Sequence, residues 1–171
     1  MEGLKAAYRR TAIISGAIAL TLPVYAIVVA LFQQMSGAFD GISPAEDSTV
    51  LTDVLFLISL ATFFLAWRIR NRAFRTAPQL PATGLKETTT VRDSQELLQL
   101  LTKTTIVTLV LSESIAMYGL AGFIVTGDAR VFHILLTVSC IAFILWFPRY
   151  GQWHEWMKRQ RAGIHHEETR Q

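Results

Sequence analysis

The chain has 171 residues, of which 51% are hydrophobic and only 17% charged, with a formal net charge of +3. The apolar residues gather into long charge-free runs, which excludes an ordinary soluble core and places the chain in the membrane class. A single cysteine, Cys140, excludes a disulfide framework or a thiolate metal cluster within one chain.

Helix one is predicted over about 11–34. It is too long for the apolar core of a signal peptide, although Lys5, Arg9 and Arg10 precede it, so a retained span is expected. Pro23 at mid-span predicts a kink, because proline removes a backbone donor. Ser15, Gly16, Ala17 and Ala19 predict close approach of a neighbouring helix. A turn-rich, acidic segment follows (MSGAFDGISPAEDS). Helix two, about 50–68, is bulky (Phe56, Phe63, Phe64, Trp67) and ends at Arg68, Arg70, Arg72 and Arg75, a basic flank suited to anionic headgroups. Residues 69–93 are expected to form a cytoplasmic connector, with Pro78, Pro81 and Gly84 and few apolar residues. Asp93 and Glu96 predict a helix start there, running into helix three at about 104–127 and extending below the bilayer. Helix four is expected at about 130–148. A basic amphipathic helix, 150–161, follows, its Tyr150, Trp153, Trp156 and Met157 expected as interfacial anchors.

Fifteen of the 16 Lys and Arg residues fall before helix one, between helices two and three, or after helix four; the exception is Arg130. The positive-inside rule then puts both termini and the middle connector in the cytoplasm. The expected fold is all-α: four transmembrane helices arranged as two helical hairpins in a single domain, in a bacterial inner membrane. The basic balance reflects topology; no nucleic-acid partner is indicated, and the expected partners are the bilayer, further copies or other membrane subunits. The halves also carry a faint repeat. Residues 13–31 align with 106–124 at an offset of 93, and 55–68 with 136–149 at an offset of 81, as in a parallel duplication. Leu20 then stands where the second half has Glu113.

Glu113 is the residue that calls for chemistry. The 24 residues from Thr104 to Gly127 contain no other charge. As a helix they would rise about 36 Å, across a hydrocarbon core of roughly 30 Å. A charge near the middle costs about 3 kcal/mol on insertion scales, and such groups mark ion or proton pathways. Desolvation favours the neutral acid, so Glu113 is expected to be protonated at neutral pH. Ser114 flanks it, and Tyr118 is placed to lean back toward it. A dehydrated sodium ion needs several oxygen ligands, and the apolar core of helix two, 54–67, supplies only Ser59 and Thr62, so a proton is the favoured occupant. The other reading is structural: a protonated Glu113 that hydrogen-bonds a neighbouring helix.

Within residues 109–125 the segment LVLSESIAMYGLAGFIV resembles the ion-binding helix of the rotary ATP synthase c subunit. The matching positions are Glu113, Ser114, Tyr118 and Gly119. The resemblance implies a carboxylate that binds the ion (Glu113), a small polar neighbour (Ser114) and a hydroxyl that orients the acid (Tyr118). VYAIVVALF in helix one is similar to the downstream half of the same motif, without an acid. The bulky helix two departs from that family's glycine-rich packing helix, so the implied role is that of a c-like protein in a different assembly. His133, near the outer end of helix four, is a candidate relay or haem ligand, but a second intramembrane histidine is missing from the sequence. His165 and His166 with Glu167 and Glu168 read as a solvated tail. No cofactor, metal spacing or nucleophile–base pair is legible, and an enzyme is not expected.

Overall fold

A computed structural model describes residues 2–36, 41–42, 45–75 and 89–158. Its helices are α1 (Glu2–Ala19), α2 (Thr21–Ser36), α3 (Ala45–Arg75), α4 (Thr89–Thr126) and α5 (Ala129–Trp146), followed by α6 over 150–158. Four segments are long and apolar enough to cross a membrane: Gly3–Met35, Thr49–Ala73, Gln95–Thr126 and Ala129–Trp146.

Helix one is interrupted at Leu20, so that α1 and α2 together make up the single apolar segment Gly3–Met35. Pro23 supplies the cause. It has no N–H to give the Ala19 carbonyl, four residues back, and its ring crowds that carbonyl. The ladder of α1 closes with Leu20 N–H to Gly16 O at 3.1 Å, and the carbonyls beyond it are helix-end acceptors that need other donors. Thr21 serves one of them: its hydroxyl lies 2.7 Å from Ile18 O.

The remaining boundaries move outward. α3 continues to Arg75, past the expected stop at Arg68, because no breaker intervenes before Pro78. α4 begins at Thr89, so Asp93 lies inside the helix and is not its N-cap. The middle connector shrinks accordingly, and residues 76–88 lie outside the described set. Gly127, with φ +74, ends α4, and Asp128 caps α5 by accepting from Arg130 N at 2.8 Å.

α4 is the hub of the bundle. α1, α2, α3 and α5 all pack on it, so helix one and α3 do not draw their main packing from one another as a separate hairpin. α1 and α2 run parallel to α4: Thr11 meets Thr102, Thr21 meets Glu113, and Val29 packs near Phe123. These pairings hold a nearly constant sequence separation, close to the repeat offset. α3 and α5 run antiparallel to α4. Leu55 sits at Gly122 and Ala66 near Leu109; Phe132 and Leu135 sit at Gly119, and Ser139 at Ser112.

The close approach of α5 requires glycine. A Cβ on Gly119 would stand 3.0 Å from the Leu135 Cβ and 3.3 Å from the Phe132 Cα. The interior also carries small hydroxyl residues among its apolar side chains. Thr11, Ser15, Thr104, Thr105, Thr108, Ser112 and Ser139 are buried. Ser15, Thr108 and Ser112 donate to carbonyls four residues back, and Ser139 donates to Ser112 O at 2.7 Å. With its own backbone as acceptor, such a residue brings no unmet donor into the bilayer.

Of the amphipathic segment 150–161, residues 150–158 are described, and its aromatic residues pack against the protein. Trp153 is only 1% exposed. With Trp156 and Met157 it packs against Leu4 of α1 and Leu97 and Leu101 of α4. Tyr8 adds edge contacts to Tyr150 and Trp153. The apolar face of α6 thus covers the basic end of the bundle. At the same end Arg70 donates to Trp146 O at 2.8 Å, giving the last carbonyls of α5 a cation.

Candidate functional site

Glu113 lies on α4, half-buried, where the α2–α4 contact meets the outer flank of the bundle. Val110 and Met117, three residues before and four after it, share its side of the helix and are exposed. Its Oε1 is met by two hydroxyls from α2, Thr21 at 2.7 Å and Tyr25 at 2.9 Å. Oε2 has no hydrogen-bond donor among the described residues. The carboxyl is thus gripped from the α2 side and open on the exposed flank of α4.

Thr21 and Tyr25 lie four residues apart, one turn along a single face of α2. Thr21 Oγ1 is 2.7 Å from both Ile18 O and Glu113 Oε1, yet a hydroxyl carries one proton. Two arrangements satisfy both contacts: the Thr21 O–H is shared between Ile18 O and Glu113 Oε1, or Glu113 supplies a second proton. In the second arrangement Glu113 Oε1–H donates to Thr21, Thr21 donates to Ile18 O, and Tyr25 donates to Glu113.

The residues expected around Glu113 separate. Ser114 donates to Val110 O at 3.0 Å on its own helix. Tyr118 packs with Ile115, Val131 and Leu135, beside Phe56 and Phe63, on the side of α4 that faces α3 and α5. Gly119 serves the α4–α5 contact. The hydroxyls that meet the acid are Thr21 and Tyr25, and at the repeat offset of 93 these are the counterparts of Ser114 and Tyr118. The similarity of VYAIVVALF to the downstream half of the motif was the signal for Tyr25. What it lacked was the knowledge that the two segments lie side by side.

His133 is exposed on α5, with Nδ1 2.6 Å from Ala129 O and its ring edge-on to Phe132. No group of three metal-ligating side chains occurs among the described residues, and His165 and His166 lie outside them. Cys140 packs at the edge of the core cluster around Leu109 and Ala142. Ser59 Oγ is buried with no hydrogen-bond partner. No family model matches the chain, and neither does any curated protein or solved structure.

Proposed function

We propose that the protein binds a proton at Glu113 within the bilayer and takes part in proton binding or translocation in a membrane complex. The observation that carries this reading is the carboxyl itself. One oxygen is held at 2.7 and 2.9 Å by hydroxyls of a neighbouring helix, and the other is without a donor on the exposed flank. A carboxyl within the bilayer can exchange its proton with water or with a base that comes to it. The lateral opening supplies the place for that encounter, in a second copy or another membrane subunit. The resemblance to the c subunit supports the same reading through Glu113 and Ser114, with Tyr25 in place of Tyr118 as the orienting hydroxyl. The charge distribution supports cytoplasmic termini in a bacterial inner membrane: Lys5, Arg9, Arg10, Arg70, Arg149 and Lys158 all fall toward one end of the bundle.

A second reading is favoured by the direction of the same two bonds. Both cross from α2 to α4, so Glu113 also ties helix one to the hub and can serve an accessory subunit as a purely structural acid. Carboxyl-directed carbodiimide labelling of the membrane-embedded protein separates the two, combined with proton flux in reconstituted vesicles. Glu113→Gln keeps size and hydrogen bonding but cannot release a proton; it should abolish labelling and any flux while the protein still inserts. A wild-type protein whose Glu113 never labels between pH 5 and 9 would leave only the structural reading.

A further inference from the structure

We infer that the break in helix one is a hinge governed by Glu113, with Thr21 passing the protonation state of the acid to the end of α1. This rests on Glu113 being a proton site and adds what the proton does to the chain.

The argument begins with the carbonyls that Pro23 leaves behind. In hydrocarbon an unsatisfied backbone carbonyl costs several kcal/mol, so a span can break only where other donors replace the lost ones. At Ile18 the donor is the Thr21 hydroxyl, at 2.7 Å. The same oxygen stands 2.7 Å from Glu113. With Glu113 protonated, the acid donates to Thr21 and the Thr21 proton is free for Ile18 O. When the Glu113 O–H bond breaks and its proton passes to water or to a partner's base, the carboxylate becomes the stronger acceptor. The Thr21 O–H then turns from Ile18 O to Oε1, as a charge-assisted bond. The Ile18 carbonyl is stripped, and α1 must change its angle to α2 to find another donor.

Other titratable groups do not share this position. α2 brings Tyr25 to the acid. The last turn of α1 presents Ile18 and Ala19 to the neighbouring core. Tyr118 and Cys140 lie in the apolar packing between α4 and its antiparallel neighbours α3 and α5. Asp53 and Asp128 lie toward the outer end of the bundle, and Lys103, Arg70 and Arg149 toward the inner end. A pH response at the hinge that disappears in Glu113→Gln therefore belongs to Glu113.

Paired spin labels test this in liposomes, at Ala6→Cys on α1 and Gln34→Cys on α2, both exposed, in a Cys140→Ser background. The distance distribution should shift with pH, with the same midpoint as carbodiimide labelling of Glu113. Glu113→Gln, whose amide can donate to Thr21, should hold the low-pH distance at every pH. Thr21→Val should hold a displaced distance at every pH while Glu113 still labels, and Thr21→Ser should restore the shift. A labelling curve that titrates while the wild-type distance stays constant would overturn the hinge and leave the proton site intact. A shift that survives in Thr21→Val would overturn the role of Thr21. Absence of labelling would remove the proton site on which the hinge rests.

Discussion

Two tyrosines compete for the role of orienting the acid, and replacing each by phenylalanine decides between them. Tyr25 donates to Glu113 Oε1 at 2.9 Å; Tyr118 packs among Ile115, Val131 and Leu135. Phenylalanine keeps the ring and removes only the hydroxyl. A hydrogen bond between membrane helices is worth about 0.6 to 2 kcal/mol, and one pH unit in a titration corresponds to about 1.4 kcal/mol of differential interaction. The Tyr25 bond is stronger to a carboxylate than to the neutral acid, so its loss should favour the protonated form. Carbodiimide attacks the protonated carboxyl, and labelling falls as pH rises through its midpoint. In Tyr25→Phe that midpoint should move upward, by at most roughly 1.5 pH units, the limit in which the whole bond is made only to the carboxylate. In Tyr118→Phe it should stay where it is. The reverse pattern, with Tyr118→Phe moving the midpoint and Tyr25→Phe silent, would mean that the α2–α4 grip on Glu113 does not exist in the membrane, and the hinge would fall with it.

Three further outcomes follow from packing. Gly119→Val should lower thermal stability in detergent by about 1–3 kcal/mol, because even a Cβ there stands 3.0 Å from Leu135; an unchanged melting temperature would contradict the close α4–α5 contact. Trp153→Ala should cost about 3–5 kcal/mol and expose the amino-terminal end of α1 to added protease, since Trp153 closes the cluster with Leu4 and Leu101. A silent Trp153→Ala would instead return α6 to the bilayer surface. Gly41→Ala should destabilise the outer end of the bundle, because φ is +77 and a Cβ would fall 2.4 Å from Val125 O; intact hydrogen-exchange protection at Ile42 N–H, which donates to Val125 O, would refute that contact.

The four spans were legible because length and charge exclusion are one-dimensional properties, and the bilayer converts them almost directly into helices. Helix ends were less so, since Arg68 to Arg75 mark a change of solvent but do not stop a helix. The protein contacts of α6 were hidden for a similar reason. Trp153, Trp156 and Met157 form one stripe whether that stripe meets lipid or α1 and α4, and periodicity carries no address. Pro23 announced a disturbance in helix one, but not that Thr21 would turn it to use.

The site divides along the same line. Glu113 stood out because its cost is set by depth alone, whereas its partners depended on which helix lies beside α4. The five-residue spacing to Tyr118 drew attention to the wrong side of the helix. Five residues advance a helix by about 500°, or 140° around the axis, so Tyr118 meets α3 and α5 while Glu113 meets α2. Tyr25 reaches the acid from the parallel neighbour, whose register with α4 nearly matches the repeat offset. A repeat whose halves lie side by side can place one half's hydroxyls on the other half's acid. At that offset Leu20 aligns with Glu113, and Leu20 is also the residue between α1 and α2, directly before the Thr21 that meets the acid.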